Sequence, residues 1–239
     1  MKIFIINLKR SVERRQHADA TMAAQNVDYS FFDAVDGNQD HPLFNDYDYK
    51  KRLWLTSGKM PSKGELGCYA SHYLLWMKCI SLNEPIIILE DDFIIKENFH
   101  EHIDLLEQKT REYGFLRIQA PIRGKMHLVD SGAKHSIHLM EDNFGGAVGY
   151  TISPQAAANL VKHRWSLPVD CYIGLPFIHG ISSFLYEPSI IEPNYESPTT
   201  VQTGMSTSKW YRKPSRELYS LYKKIMLSFC FNKTKQSHK

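Results

Sequence analysis

The chain has 239 residues, of which 43% are hydrophobic and 23% charged, a length and composition that fit one globular domain with a single core. It has no apolar run of about 18 residues and no secretory signal pattern at its start, which argues against a membrane-spanning or secreted protein. Its four cysteines include no CxxC pair, which argues against a zinc ribbon. We therefore expect a cytoplasmic protein with free thiols. The net charge of +3 is uneven, because residues 205–239 carry nine Lys/Arg and one acid, whereas residues 1–204 carry 20 Lys/Arg and 25 acids.

The first part of the chain alternates between strand and helix patterns. Residues 2–8 form a near-continuous apolar run, which predicts a strand buried on both faces of a parallel sheet. Ser11 is a candidate N-cap for a helix that reaches residue 26, and residues 29–35 predict a second strand. Residues 38–60 are polar and irregular, and we expect a long loop, which in a compact domain usually has a function.

The remaining elements continue the alternation. The capping box at residues 62–65 predicts a helix, and the elements expected after it are a strand at 85–92, a helix at 96–110, a strand at 115–119, a loop at 121–136, a strand at 147–152, a helix from 154, a strand at 184–187 and a Pro/Ser/Thr-rich segment to 208. This order indicates an α/β fold with a central, mostly parallel sheet flanked by helices. We assign residues 1–205 to that domain and residues 206–239 to a C-terminal extension.

The isoleucine-rich strand predicted at residues 85–92 ends in three carboxylates. Side chains alternate in an extended segment, so Glu90 and Asp92 should point to one side and Asp91 to the other. Two carboxylates at the carboxyl end of a strand form a site of hard oxygen ligands, which suits Mg²⁺ or Mn²⁺, and a bound cation there would neutralise a diphosphate. A solvated acidic turn is the alternative. The apolar run directly before it favours the metal site, because acids that repel one another need a positive partner.

The helix before this strand carries two further candidates. Glu65 and His72 are seven residues apart and therefore share one helix face. We expect this face to be polar, with Leu66, Ala70 and Tyr73 turned toward the core. One interpretation makes Glu65 and His72 a wall of the active site that orients the substrate, and an ordinary exposed face is the other.

Basic residues near two helix starts are candidate phosphate ligands. Lys63 opens the helix just described, and Arg10, Arg14 and Arg15 follow the first strand, where doubly wound folds bind nucleotides. The chain has neither a GxGxxG nor a GxxxxGK[ST] motif there, so neither a dinucleotide site nor a P-loop is supported. A solvated basic helix is the alternative for the arginines.

Six motifs occur in a fixed order over about residues 1–200, and they are IINLKRSVERR (5–15), FDAVDG (32–37), GELGCYASH (64–72), ILEDD (88–92), GGAVGYTISP (145–154) and PVD (168–170). Together they resemble the family 25 glycosyltransferases, which include bacterial lipooligosaccharide galactosyltransferases and the domains that glycosylate collagen. The resemblance implies a GT-A type fold, inversion at the anomeric carbon and a UDP-hexose donor. It further implies UDP-galactose as that donor and a lipooligosaccharide or lipopolysaccharide core as the acceptor of a Gram-negative bacterium.

The resemblance also assigns residues to the donor site. Those that it places near the nucleotide or in the uridine pocket are Asn7, Leu8, Arg10, Arg14, Ala34, Asp36 and Gly37. It puts Glu90 and Asp92 at the acidic metal-binding motif, with Mn²⁺ or Mg²⁺ as the cofactor. The motif here is Glu-Asp-Asp rather than a strict Asp-x-Asp, and Cys171 stands where relatives often carry Trp.

An inverting transfer needs one general base, which takes the proton of the acceptor hydroxyl. Asp170 is the first candidate, since it follows a proline-fixed turn far along the chain from the acidic strand end, and Glu65 is the second. The alternative is that Asp170 only caps a helix. Gly145 and Gly146 precede a strand, where they either let backbone approach a sugar closely or only form a bend.

The basic C-terminal segment predicts an amphipathic helix, in which apolar residues recur at helical spacing from Leu218 to Phe229. A helix of this kind binds an anionic membrane surface, where a lipid-linked oligosaccharide acceptor would be met. We therefore expect a peripheral protein on the cytoplasmic face of the inner membrane, with no nucleic-acid partner. Docking of the helix on the core is the alternative.

Two other functions fit an acidic site beside a nucleotide. A sugar-phosphate nucleotidyltransferase usually needs a glycine-rich basic loop after the first strand, and this sequence lacks one. A catalytically inactive nucleotide- or carbohydrate-binding module is the non-enzymatic alternative, and Glu90, Asp92 and Asp170 argue against it.

Overall fold

Ten strands and eight α-helices make up the regular structure of the described residues. The computed structural model of the protein describes residues 1–120, 124–142, 146–194 and 208–238. The strands are β1 (Lys2–Asn7), β2 (Tyr29–Asp33), β3 (Ile86–Glu90), β4 (Phe93–Ile95), β5 (Phe115–Arg117), β6 (Met126–Ser131), β7 (Ser136–Met140), β8 (Gly149–Ile152), β9 (Ser183–Glu187) and β10 (Ile191–Pro193). The helices are α1 (Val12–Ala23), α2 (Tyr49–Trp54), α3 (Lys63–Leu82), α4 (Phe99–Tyr113), α5 (Pro154–Leu160), α6 (Val169–Ile173), α7 (Pro176–His179) and α8 (Lys213–Ser237).

Eight of these strands form one central sheet, in the order β2-β1-β3-β8-β5-β9-β7-β6. The pairs β1·β2, β1·β3 and β5·β9 are parallel, and the other four pairs are antiparallel. Followed across the sheet, these pairings give β2, β1, β3, β5, β9 and β6 the same direction and reverse only β8 and β7. The predicted α/β fold with a mostly parallel central sheet flanked by helices is thereby confirmed.

Strand β1 shows why the sheet is buried on both faces. Ile3 and Ile5 pack into one core cluster together with residues of α1 and α4, while Phe4 and Ile6 pack into another with residues of α3 and α5. Because side chains alternate along a strand, a strand covered by helices on both faces needs an unbroken apolar run, as residues 2–8 provide.

The long helix α3 begins where the capping box predicts. The Ser62 hydroxyl accepts a hydrogen bond from the backbone N–H of Glu65 at 3.0 Å, which satisfies one of the free donors of the first turn. Ser153 caps α5 in the same way, through the N–H of Ala156 at 3.2 Å. Both starts place a helix N-terminus directly after a loop or strand of the sheet.

Two predicted loops contain regular structure. The segment 38–60 includes a 3-10 helix (Pro42–Asp46) and α2, and α2 begins at the N-cap Asp48, whose carboxylate accepts from Lys51 N–H. The segment 121–136 includes β6, an edge strand whose polar and apolar residues alternate. Both expectations were wrong, because each element is short and carries few buried apolar residues. Residues 121–123 lie outside the described part of the chain.

The C-terminal basic segment forms the predicted helix, α8, and this helix is docked on the body. Leu227 is its buried residue, and Thr234 Oγ1 lies 3.0 Å from Ser182 Oγ, which precedes β9. Within the described residues, no helix is both long enough and apolar enough to cross a bilayer. The proposed boundary near residue 205 and most of the Pro/Ser/Thr-rich segment fall at 195–207, outside the described residues, so the division of the chain stays a prediction.

Candidate active site

A cavity of about 410 Å³ opens at the carboxyl ends of β1 and β3, which are neighbours in the sheet. Its other walls are the segment after β2 and the first turns of α3. Its lining residues include ten of those predicted to bind nucleotide, substrate or metal, which are Leu8, Arg10, Arg14, Ala34, Asp36, Gly37, Lys63, His72, Glu90 and Asp92. Parallel strand ends form this crevice because their loops diverge there, as in other open α/β sheets.

The acidic triplet lies at the floor of this cavity. Glu90 is the last residue of β3, and Asp91 and Asp92 follow in a bend. Asp91 turns toward β1 and α1, where Asn7 Nδ2 donates to its Oδ2 at 2.6 Å and Arg14 Nη1 lies 2.7 Å from its Oδ1. Asp92 shares Arg14 with Asp91, whereas Glu90 contacts His72. The predicted separation of Asp91 is therefore seen relative to Glu90 but not relative to Asp92, because the chain bends after Glu90.

Asp92 has weaker contacts with positive or hydrogen-bonding groups than Asp91. Its Oδ2 lies 3.4 Å from Arg14 Nη2, and its Oδ1 is buried without a hydrogen-bond partner among the described residues. Burial and then repulsion from Glu90 raise the pKa of Asp92 to about 6, although the charge of Arg14 lowers it. Burial also raises the pKa of Asp91, against the hydrogen bond from Asn7 and the charge of Arg14.

Glu90 meets the helix α3 through His72. His72 Nε2 lies 3.2 Å from Glu90 Oε1, and its Nδ1 lies 2.8 Å from the hydroxyl of Tyr150, which itself accepts from the Trp76 indole N–H at 2.9 Å. A carboxylate only accepts hydrogen bonds, so in the neutral ring Nε2 carries the hydrogen and Nδ1 accepts from Tyr150. His72 is fully buried and lines the cavity, so the alternative of an ordinary exposed face does not hold for it.

The polar face of α3 is in fact an inner one. Glu65, Ser71 and His72 are buried, and Ala70, which was expected to face the core, is buried as well. Buried polar side chains are stable when each has a hydrogen-bonding partner, and all three have one. The helix therefore carries buried polar side chains beside buried apolar ones, and the expectation of a core-facing apolar side is confirmed at Ala70.

Two glycines bring the segment after β2 against α3. A Cβ on Gly37 would overlap the carbonyl oxygen of Lys63, and one on Gly67 would overlap the carbonyl oxygen of Val35. Ser71 Oγ accepts a hydrogen bond from Val35 N–H at 2.8 Å, which also joins the segment after β2 to α3. The segments that carry the motifs FDAVDG and GELGCYASH therefore pack against each other through their backbones.

Charged residues at the cavity rim are partly paired. Arg10 forms an ion pair with Asp36, which joins the two segments that the resemblance assigned to the nucleotide. Lys63 is exposed at the N-terminus of α3 and forms no ion pair with a described residue. Arg15 lies over the ring of Phe31, with its guanidinium carbon 4.0 Å from the ring centroid, and so is directed away from the expected diphosphate.

Glu65 does not line this cavity in the described residues, and both of its oxygens have partners. Arg52 Nη2 lies 2.8 Å from Oε2, and the Tyr47 hydroxyl donates to Oε1 at 3.4 Å. Arg52 and Glu65 are both buried, so this ion pair joins α2 to the start of α3. A carboxylate held in a buried ion pair is less suited to accept a substrate proton, which favours Asp170 as the base.

Asp170 lies in the first turn of α6, and the N-cap position of this helix is Pro168, so the cap alternative does not hold. Burial raises the pKa of Asp170, the hydrogen bond from Cys171 N–H opposes the shift, and the charges of Glu90 and Arg117 act in opposite directions. Asp170 is not among the residues that line the cavity, although the charge of Glu90 acts on it. A half-buried carboxylate with a raised pKa is a suitable proton acceptor.

The structure adds residues that the sequence argument did not single out. Asp91 and Cys68 line the cavity, and Tyr150 orients His72. Arg117 is 1% exposed and donates to the backbone of Gln119. A charged residue inside the strand pattern FLRIQ was a sequence signal that could have identified it. Gly146 does not line the cavity, and its φ of +99° needs glycine. Gly145 lies outside the described residues.

The charges of the cavity fit a divalent cation. Its charged lining residues are three cations and four carboxylates, namely Arg10, Arg14, Lys63, Asp36, Glu90, Asp91 and Asp92. A diphosphate would add negative charge to a cavity that already has an excess of one. Carboxylate oxygens are the ligands that Mg²⁺ and Mn²⁺ prefer, and the unpartnered Asp92 Oδ1 is such an oxygen.

Comparisons with known proteins find one family and several individual relatives. The model of glycosyltransferase family 25 (LPS biosynthesis protein) matches residues 1–173. Lipooligosaccharide biosynthesis protein lic2B of Haemophilus influenzae is 31% identical over 175 residues, 69% of this chain and 64% of that protein. Procollagen galactosyltransferase 2 of Homo sapiens is 24% identical over 224 residues, 81% of this chain and 35% of that protein. The chain thus spans less than two thirds of either relative.

Among solved structures, a Drosophila β-1,4-galactosyltransferase 7 variant in complex with manganese, UDP-Gal and xylobiose matches with a TM-score of 0.47 and 10% identity. The match covers 90% of this chain and 79% of that one, and it is too distant to argue from. The family match, in contrast, includes every residue of the cavity and Asp170.

Proposed function

The chain belongs to glycosyltransferase family 25, and from that premise we propose that it is an inverting hexosyltransferase, which moves a hexose from a UDP-sugar to a glycan. The observation that carries the proposal is the cavity that Glu90 and Asp92, with its unpartnered Oδ1, line together with the donor loops and the start of α3. This arrangement needs a positive partner and offers phosphate ligands beside it, which is the chemistry of a metal-assisted nucleotide-sugar site.

The donor would bind along the rim from α3 to β2. Lys63 and the backbone N–H groups at the α3 N-terminus suit the diphosphate, since a helix of 20 residues presents free donors and a positive dipole end there. Ala34 and Gly37 give the nucleoside small residues to pack against. Asp92 and Glu90 would hold Mn²⁺ or Mg²⁺, which when bound offsets charge on the departing nucleoside diphosphate.

Asp170 would act as the general base. In an inverting transfer the acceptor hydroxyl attacks the anomeric carbon from the face opposite the diphosphate, so the base must lie across the cavity from the donor loops. The charge of Glu90 acts on Asp170, and the charge of Asp170 acts on Glu65, which supports a place for Asp170 on this side of the site. Its carboxylate takes the hydroxyl proton as the new glycosidic bond forms and UDP departs.

Galactose is the proposed sugar and a lipooligosaccharide core the proposed acceptor. The support is the similarity to a lipooligosaccharide biosynthesis protein and to a procollagen galactosyltransferase. The test is UDP release from UDP-galactose, UDP-glucose and UDP-N-acetylglucosamine with truncated lipooligosaccharide, with and without Mn²⁺, and with linkage analysis of the product. Galactose transfer with inversion that needs the metal is expected.

The same assay separates the alternatives. A nucleotidyltransferase would release pyrophosphate from UTP and hexose 1-phosphate, and a binding module would bind UDP without turnover. Either outcome, or transfer with retention of the anomeric configuration, would reject the proposal.

We further propose that α8 rests on an anionic membrane surface, which would place the protein at the cytoplasmic face of the inner membrane. A helix docked by one face usually turns polar residues outward. On α8, large apolar side chains also face outward, and Leu218, Leu221, Ile225 and Phe229 are 57–69% exposed. Basic residues flank them, and the last 35 residues of the sequence have nine Lys/Arg and one acid.

Vesicle sedimentation tests this surface. We expect the protein to sediment with phosphatidylglycerol vesicles, less so at high salt, and the variant L221S/I225S/F229S to remain in solution. The control replaces Glu217, Asn232 and Gln236, which are also exposed on α8, by Ser. Equal sedimentation of both variants, or salt-insensitive dimerisation through these residues in place of vesicle binding, would contradict the proposal.

A further inference from the structure

Three potential metal ligands of different chemistry converge on the wall of the cavity. One donor atom from each of Cys68, His72 and Glu90 lies within 4.8 Å of the other two. Cys68 Sγ is 3.9 Å and His72 Nε2 is 3.2 Å from Glu90 Oε1. Cys68 and His72 are four residues apart on α3, and therefore lie on one face of the helix, while Glu90 comes from the end of β3.

The spacing of these atoms fits a tetrahedral ion. With zinc bond lengths of about 2.0–2.3 Å, tetrahedral edges are about 3.4 Å between nitrogen and oxygen and about 3.6 Å between sulfur and oxygen. The observed 3.2 Å and 3.9 Å lie within a few tenths of an ångström of these values, and the sulfur and the ring nitrogen lie within 4.8 Å of each other, so that third edge closes as the ion binds. Thiolate and imidazole are softer ligands than the oxygens that Mg²⁺ and Mn²⁺ prefer, so this set selects Zn²⁺.

The surroundings of His72 also fit a metal ligand. A ligating imidazole is normally oriented through its second nitrogen. Here Nδ1 faces the Tyr150 hydroxyl, which Trp76 holds from behind, and all three side chains are almost fully buried. With an ion on Nε2, Nδ1 would carry the hydrogen and donate it to Tyr150, whose oxygen accepts a second bond.

We propose that Cys68, His72 and Glu90 form a zinc site, separate in ligand chemistry from the Glu90–Asp92 oxygen site and in competition with it. The two sites share Glu90, so a zinc ion on the three residues withdraws that carboxylate from the productive cation. Three protein ligands leave the fourth position open to the cavity where the donor diphosphate would bind. Zinc is therefore an inhibitor of the transferase, and this consequence rests on the proposed function.

Cobalt substitution tests the site without any turnover. Metal-free protein is titrated with Co²⁺, and a thiolate-to-cobalt charge-transfer absorption in the near ultraviolet reports a Cys ligand. Zn²⁺ is then added to displace the cobalt, which gives the zinc affinity. We expect one zinc per chain, loss of the absorption in Cys68→Ser, and a zinc affinity at least about tenfold weaker in that variant.

Cys230→Ser is the matched control, because Cys230 lies on α8, and it should behave as the wild type. Glu90→Gln keeps the thiol and should weaken zinc binding while retaining the absorption, which covers the case that Cys68→Ser folds poorly by circular dichroism. Absence of the absorption in the wild type, or equal zinc affinity in the wild type and Cys68→Ser, would overturn the site.

A second measurement tests the inhibition. Zinc is titrated into the transfer assay at fixed Mn²⁺, with each protein normalised to its own zinc-free rate. The concentration for half inhibition should rise at least about tenfold in Cys68→Ser and not in Cys230→Ser. If the zinc site is present by spectroscopy but no protein transfers sugar, the proposed function fails and the zinc site stands.

Discussion

The amide nitrogen of Asn7 lies 2.6 Å from Asp91 Oδ2, and this buried hydrogen bond joins the ends of the neighbouring strands β1 and β3. The same amide reaches the backbone oxygen of Ser11 at 3.3 Å. Asn7 thus fixes the first residue after the acidic strand relative to the turn that leads into α1. Its part in the site is to position Asp91, which in turn anchors Arg14.

Asn7→Ala should therefore lower both stability and donor affinity. Removal of the amide leaves a buried carboxylate oxygen without its donor, which costs about 1–3 kcal/mol in the free energy of unfolding. Urea unfolding and UDP titration measure the two effects. Asn232→Ala, an exposed position on α8, is the control and should change neither. An Asn7→Ala protein as stable as the control would show that Asp91 needs no such support.

Asp92→Asn should stabilise the metal-free protein. The folded-state pKa of Asp92 is raised to about 6, so ionisation is less favourable in the fold than in the unfolded chain, and stability is lost as the pH rises through that value. The amide removes this cost, and we expect a gain of about 2 kcal/mol at pH 7.5 and about half of that at pH 5, because pH 5 lies between the unfolded and folded pKa values. Thermal unfolding at both pH values measures it.

The same substitution should weaken Mn²⁺-dependent UDP binding at least about tenfold, because the amide does not carry the charge that holds the cation. Asp104→Asn, at an exposed position on α4, is the control for both measurements. Unchanged metal dependence in Asp92→Asn would remove Asp92 from the cation site.

Asp170→Asn should abolish transfer and leave UDP affinity intact. Because the pKa of Asp170 is raised and the ionised form is the base, kcat in the wild type should fall as the pH falls, with its midpoint above the ordinary aspartate value of about 3.9. A pH–rate profile measures this limb. Full turnover in Asp170→Asn would exclude the residue as the base and return attention to Glu65.

Gly37→Ala should be strongly destabilising. The new Cβ would overlap the carbonyl oxygen of Lys63, and neither backbone segment is free to move, so we expect a loss of about 3 kcal/mol in the free energy of unfolding. Gly180→Ala is the control: its φ is +76° but no atom lies within 4 Å, so only the backbone term of about 1 kcal/mol applies. Equal losses would mean that the contact between the two motifs is loose.

The sequence predicted the parts of the fold that depend on long apolar runs. Residues 2–8 and 85–92 are recognisable because β1 and β3 are covered on both faces, and the acids that end β3 mark the open edge of the sheet. Short elements with mixed composition, such as α2 and β6, were not recognised. Their conformation depends on contacts with distant segments, which no local pattern encodes.

Sequence motifs identified those site residues that occur in them, whereas residues whose role depends on tertiary packing were missed. The cavity brings together the donor residues assigned through the family motifs except Asn7, which is buried beside it and bonded to Asp91. The burial of His72 was not predicted, since polar residues at helical spacing do not reveal whether they face water or a buried partner such as Tyr150. Cys68 was overlooked for the same reason, because its neighbours come from β3.

The contacts that fix α8 to the region of α2 have a consequence for acceptor selection if the helix rests on a membrane as proposed. Ser215 Oγ donates to the backbone oxygen of Trp54 at 2.6 Å and Arg216 Nη1 to that of Ser57 at 2.9 Å, directly after α2. These contacts set the height and tilt of the cavity above any bilayer that supports the helix. An acceptor anchored in that bilayer would reach Asp170 only if its glycan had a suitable length. The enzyme would then distinguish chain lengths by distance from the lipid plane, in addition to reading the terminal sugar.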